Sequence, residues 1–180
     1  EEGENECKAY LSSAGGISTT IARLAKKVII EYNHFHNPNS KCLQDTYEPG
    51  ECGFERQPIP IIHVIDKVGK NYVSIDPKKI AGVVECNIPE EARVFKPLTP
   101  ETRQMGYNVA EFLVNDMKKG HIPPQFLPLQ SGVGATGNAV LQALGQNSHI
   151  PHFKVYSEVV QESAIDLIQK GIITEASATA

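Results

Sequence analysis

Leu127-Pro128-Leu129-Gln130-Ser131-Gly132-Val133-Gly134-Ala135-Thr136-Gly137-Asn138-Ala139-Val140 joins an apolar segment to a helical one through a glycine-rich turn. Phe126 to Gln130 is a short apolar piece of strand character. Three glycines within six residues then let the backbone turn tightly and approach a ligand closely. A helix is expected next, capped by Thr136 or Asn138. Val140, Leu141 and Leu144 form its apolar face, and Gly145 is its left-handed stop. Strand, glycine turn and helix start together leave N–H groups suited to an anion or a developing oxyanion.

The spacing Gly132-x-Gly134-x-x-Gly137 also fits a dinucleotide fingerprint. That fingerprint expects an acidic residue about 20 positions on, at the end of a second strand, to hold a ribose hydroxyl. Phe153 to Tyr156 reads as such a strand, ending at Ser157-Glu158, so spacing alone leaves the nucleotide reading open. Ligand sites in open α/β sheets collect at the carboxyl ends of strands, where Glu158 falls. The plainer alternative makes Glu158 an acid at a helix start, favoured there by the helix dipole by about 0.3 to 1 kcal/mol.

Upstream, Thr99 and Pro100 open the clearest helix of the chain, as cap and first helical residue. Met105, Val109, Phe112, Leu113 and Met117 recur at helical spacing as a core stripe, and Gly120 stops the run. Downstream, a helix from about Val159 to Lys170 is expected to bury Val160, Ala164, Ile165 and Ile168 before Gly171. His149 and His152 read as loop residues.

Ser18 to Ala25 reads as a helix capped by Ser18, with Ile21, Leu24 and Ala25 on one side. Lys27 to Asn33 follows as a strand whose run Val28-Ile29-Ile30 suits cover on both faces. Ile59 to Ile65, Tyr72 to Ile75 and Ile80 to Cys86 are further candidate strands. This alternation of helix and strand indicates an α/β fold with an open, mostly parallel sheet and flanking helices. His34 to Pro60 is a long irregular section, and Arg56 within it suits a carboxylate, a phosphate or a surface ion pair. Asn87 to Pro100, with three prolines, reads as a linker.

Bulk properties narrow the function. The 180 residues are 41% hydrophobic and 21% charged, which is enough for a sizeable core. A net charge of −4, with Lys and Arg scattered, gives no footprint for nucleic acid. No apolar run reaches the length of a membrane span, and Glu1 to Glu6 is unlike a signal peptide, so a cytoplasmic protein is expected. Cys7, Cys42, Cys52 and Cys86 show no CxxC spacing and read as reduced structural thiols. The nearest approach to a metal pattern is His34-x-His36 with Cys42 and Cys52, a mixed set on a loop, so no metal site is expected.

Several motifs in order carry a wider resemblance. Pro128 to Gly134, Asn138-Ala139-Val140, Ser157-Glu158-Val159, Asp166-Leu167, Gly171 and Ala176-Ser177-Ala178-Thr179 resemble the acetyl-CoA hydrolase/transferase family. Within it they are similar to the succinyl-CoA:acetate CoA-transferase branch of the class I CoA-transferases. Arg56-Gln57-Pro58-Ile59-Pro60 and Ile75-Asp76-Pro77 extend the likeness over roughly residues 10 to 180. Ala135-Thr136-Gly137 before Asn138 departs from commoner family versions of the turn.

The resemblance implies a NagB/RpiA/CoA-transferase-like fold, a central segment of a longer chain, and parts of two related halves. Residues 1 to 95 would end the first half, and 96 to 180 would begin the second. It also implies that Glu158 is the nucleophile carrying coenzyme A as a thioester. Gly132, Val133 and Gly134 would form the oxyanion and coenzyme A turn, with the amide of Val133 as donor and Asn138 as a site candidate of lower rank. Coenzyme A would be a substrate, with no permanently bound cofactor, and small carboxylates such as succinate or acetate the acceptors. Hydrolysis of acetyl-CoA, or a dinucleotide-binding oxidoreductase, would be the alternatives. A homodimer is expected at full length, and the isolated segment is expected to be inactive.

Overall fold

The computed structural model describes residues 5–50, 53, 56–90 and 97–178. Cys52 and part of the expected linker and half boundary, residues 91–96, lie outside the described residues. The chain divides into two compact units, Glu1–Ile62 with Asp66–Ala92, and His63–Ile65 with Arg93–Ala180.

In the first unit, β1 (Cys7–Ala9) pairs antiparallel with β3 (Val73–Ile75), setting Cys7 opposite Ile75 and Ala9 opposite Val73. β2 (Val28–Asn33) and β4 (Ile80–Cys86) run parallel. Cys7, Val73 and Ile75 pack with Ala22 of α1 (Ser18–Leu24) to form a small core. Ser18 does not cap α1; Ile17 holds that position, and the Ser18 hydroxyl donates instead to the Gly15 carbonyl at 2.6 Å. Ile21 and Leu24 are exposed, because the short helix turns Ala22 to the core. The expected cover on both faces of Val28-Ile29-Ile30 is also absent, since Ile29 is 70% exposed while Val28 and Ile30 face the core. Ile59 to Ile65 forms no strand, and Pro58 and Pro60 leave that backbone short of ladder donors.

In the second unit, α2 (Pro100–Lys118) begins as its sequence requires: Thr99 Oγ1 accepts from the Thr102 N–H at 3.2 Å, with Pro100 at the first helical position. It ends at Gly120, which is left-handed at φ 77°. Its buried face is not the large apolar stripe. Gly106, Ala110 and Val114 are buried, Leu113 and Met117 are partly buried, and Met105, Val109 and Phe112 are exposed. Small residues are selected there because α2 meets α3 (Ala135–Gln146) so closely that a Cβ on Gly106 would overlap the Ala139 carbonyl.

β5 (Phe153–Ser157) and β6 (Ile173–Ala178) are parallel, with α4 (Glu162–Gln169) between them in sequence. On the other side of β5 runs the segment before the glycine turn. Its strand character is confined to Leu129, bridged in parallel to Val155, because Phe126 is turned to φ 59° and Pro128 has no N–H to give. α4 starts at Glu162 instead of Val159 and buries Ala164 and Leu167, leaving Ile165 and Ile168 exposed. Phe153, Leu141, Leu144, Ile173 and Val155 form the center of this core. Burial of each of these side chains contributes about 1.5 to 3 kcal/mol, an upper figure for an extended unfolded chain. Among the described residues two of the three strand pairs are parallel, and each unit combines strands with helices, an α/β architecture.

Candidate active site

Leu129 and Val155 fix where the glycine turn lies relative to β5. The Leu129 N–H donates to the Lys154 carbonyl, and the Tyr156 N–H donates to the Leu129 carbonyl, both at 2.9 Å. Two residues on, backbone pairing gives way to a side chain. Ser157 Oγ accepts from the Ser131 N–H at 3.3 Å and donates to the Ser131 carbonyl at 3.2 Å. Ser157 is only 2% exposed, so the hydroxyl meets both backbone groups where water does not reach.

The turn itself is held from the far end of the same loop. Gln161 Nε2 donates to the Gly132 carbonyl at 2.9 Å, and the Gly134 N–H donates to Gln161 Oε1 at 3.0 Å. Gln161 is 5% exposed. Gly134 sits at φ 133°, a region that disfavours any residue with a Cβ, and it occupies the cap position of α3. Gly137 lets the helix start fold back on the turn, since a Cβ there would overlap the Gly132 carbonyl oxygen.

Neither expected cap of α3 acts as one. Thr136 and Asn138 lie inside the helix, no side chain caps it, and the Asn138 side chain instead accepts from Ser163 Oγ of α4 at 2.7 Å. Gly145 is not the stop either. The helix runs through it to Gln146, and the missing side chain makes room for Leu167. The uncapped first turn leaves its N–H groups open, and among the described residues no acceptor takes the N–H of Val133.

Glu158 follows β5 directly and is exposed, within a loop whose two ends, Ser157 and Gln161, are the residues bonded to the turn. Gly132, Val133, Gly134 and the loop of Glu158 are thus brought together, whereas Asn138 serves the contact between α3 and α4. A cavity of about 490 Å³ opens beside the turn. It is walled by Gln130 to Gly137 and by Val109, Leu113, Val140 and Leu144; Glu158 and Asn138 do not line it.

Ser131, Ser157 and Gln161 are the contributors that sequence reading passed over. Ser157 and Gln161, on either side of an acid, carry no periodic signal, and only their placement opposite Ser131 and the glycine turn reveals them. The loop histidines fall as expected, His149 and His152 both being exposed. His34 Nε2 lies 3.2 Å from Glu85, and no group of three His, Cys, Asp or Glu among the described residues is placed to hold a metal ion. Cys7, Cys42 and Cys86 are free thiols. No helix among the described residues is long and apolar enough to cross a membrane.

A glycine turn anchored to the end of a parallel strand, with a carboxylate on the adjoining loop, defines an α/β domain equipped to act on a carbonyl or to hold an anion. Solved structures agree on the fold. RipA from Yersinia pestis superposes with a TM-score of 0.57 at 19% identity, covering 94% of this chain and 33% of that one. A 4-hydroxybutyrate CoA-transferase from Porphyromonas gingivalis gives 0.52 at 22%, covering 96% and 32%.

Among known sequences, the chain is 46% identical over 172 residues to propanoyl-CoA:succinate CoA transferase of Escherichia coli, covering 96% of this chain and 35% of that protein. It is 34% identical over 167 residues to an acetyl-CoA hydrolase of Saccharomyces cerevisiae, covering 93% and 31%. No family model matches. The chain is therefore similar in sequence to CoA-transferases and acetyl-CoA hydrolases, and it spans about a third of the length of the curated relatives it matches.

Proposed function

We propose that this chain carries the nucleophile and one oxyanion donor of a CoA-transferase, with Glu158 as nucleophile and the Val133 amide as donor. The observation that carries the proposal is the double attachment of the Glu158 loop to the glycine turn, through Ser157 to Ser131 and through Gln161 to Gly132 and Gly134. It keeps a carboxylate and open backbone N–H groups on one rigid frame. The relatives named for coenzyme A chemistry favour this reading over dinucleotide binding.

A carboxylate is a weak nucleophile, so the step depends on holding the tetrahedral oxyanion; losing one such donor costs on the order of 100- to 1000-fold. Glu158 attacks the thioester carbonyl of an acyl-CoA, the C–S bond breaks, and a mixed anhydride forms with release of coenzyme A thiolate. The thiolate attacks the glutamyl carbonyl and the first carboxylate leaves, giving the glutamyl-CoA thioester. A second carboxylate reverses the sequence: it displaces the thiolate to form a new anhydride. The thiolate then takes the acyl group and frees Glu158. Succinate, acetate and propionate are the proposed acids. The complete protein is proposed to be a cytoplasmic homodimer without a permanently bound cofactor, and 1–95 and 96–180 to come from two related halves.

Hydrolysis is the second reading, favoured by the similarity to an acetyl-CoA hydrolase. It replaces the acceptor acid by water at the same thioester, so access of water decides between the two.

Mass spectrometry of the complete protein, incubated with acetyl-CoA or succinyl-CoA and no acceptor, is the test. A coenzyme A adduct on the Glu158 peptide, absent in Glu158→Ala and discharged by acetate or succinate into a new acyl-CoA, is the expected result. Discharge at the same rate by buffer alone would establish hydrolysis. No adduct on folded wild-type protein would refute the nucleophile.

A further inference from the structure

We infer that Gln161 is a positioning residue that aims the Val133 N–H, an assignment that rests on the reading of Glu158 and Val133 given above. The Gly132 carbonyl and the Val133 N–H belong to one peptide unit, which is planar and trans, so the two groups point in opposite directions. By holding the Gly132 oxygen at 2.9 Å, Gln161 Nε2 fixes that plane and turns the Val133 N–H away from itself. The Gly134 N–H, held by Gln161 Oε1 at 3.0 Å, belongs to the next peptide unit. Both planes flanking the Val133 Cα are therefore pinned by one side chain, which leaves Val133 little freedom to rotate.

The pinning side chain is itself constrained. Gln161 is 5% exposed and precedes α4, whose second residue, Ser163, is bonded to Asn138 of α3. The amide matches its partners in only one orientation, oxygen to N–H and nitrogen to carbonyl. Buried and doubly bonded, it forms a stiff bracket between the loop of Glu158 and the turn. An unbracketed turn built on Gly132 and Gly134 would sample other plane orientations, and an oxyanion donor contributes only when it is oriented before the reaction.

Gln161→Glu keeps the acceptor and the volume but removes the donor, setting a carboxylate oxygen against the Gly132 carbonyl. In the complete protein, kcat for coenzyme A transfer is expected to fall on the order of 10- to 100-fold. KM for the acyl-CoA stays within about threefold, because only the transition state uses the donor. Formation of the Glu158 adduct slows in parallel, while thermal unfolding shows the variant folded at the assay temperature. The ratio of Q161E to wild-type rate then rises as pH falls, since protonating the introduced carboxyl restores a donor to the Gly132 oxygen. Burial raises that pKa into an accessible range.

Wild-type kcat in Q161E, or a loss carried only by KM, would overturn the inference and leave the nucleophile intact. Absence of the adduct in wild-type protein would remove both readings together. Should Q161E fail to fold, Gln161→Met fills similar space without either hydrogen bond. A lowered kcat that low pH does not recover is then expected, and a wild-type kcat refutes the assignment.

Discussion

Gly137→Ala gives opposite answers for a helical glycine in the open and one pressed against a turn. Alanine in place of glycine within a helix ordinarily stabilises by about 0.5 to 1 kcal/mol. At 137, however, the new Cβ would overlap the Gly132 carbonyl oxygen and approach Ser131 Oγ to 2.9 Å. Backbone has to move, and such overpacking costs about 1 to 3 kcal/mol. The atom displaced is the acceptor of Gln161 Nε2, and a buried donor left without its partner costs about another 1 to 3 kcal/mol. Setting these costs against the helix gain, the variant should be less stable by about 1 to 5 kcal/mol. Urea unfolding of the complete protein, followed by far-ultraviolet circular dichroism, reads the change as a lower midpoint at unchanged slope. A midpoint equal to or above wild type would refute the close approach of α3 to the turn.

Two further outcomes test other parts of the chain. Asn138→Ala and Ser163→Ala should be non-additive, with a coupling of about 0.5 to 1.5 kcal/mol for the bond between α3 and α4; additive losses would show that Asn138 acts alone at the helix start. In the first unit, the hydrogen bond from Arg23 at 2.8 Å, aided by Thr20 at 3.1 Å, holds the Glu48 carboxyl below its ordinary value of 4.5. Its stabilisation is therefore complete above pH 4.5 and lost as pH falls through the lowered folded-state value. Both side chains are partly exposed, so Glu48→Gln should cost at most about 1 kcal/mol at neutral pH. That cost should vanish in acid, and a difference that grows on acidification would exclude the pair as its source.

Much of the fold is written in short-range chemistry. Thr99-Pro100 opens α2 and Gly120 and Gly171 close α2 and α4, because caps, a missing N–H and a left-handed residue act on the backbone within one turn. β4 matches its apolar run from Ile80 to Cys86, and β5 ends next to Glu158, as the local pattern demands. The glycine turn and its acid were legible as residues of the right kinds at a usable spacing. Two readings of that spacing remained open, since a phosphate and an oxyanion call on the same N–H groups.

Local chemistry along the chain thus places both ends of α2, the end of α4 and the run of β4, whereas α1, α3 and the start of α4 depart from it. Which surfaces meet is a matter of tertiary packing. It selected Gly106, Ala110 and Val114 over the larger stripe of α2, because a close crossing of helices admits only small residues. It gave Gly145 to the packing of Leu167 and Asn138 to a bond with Ser163. It also made Gln161 a bracket of the turn across 29 residues of chain. None of these assignments has a local signature, because each is set by a partner distant in sequence, and hydrogen bonding and steric exclusion act only once folding has brought the partners within reach.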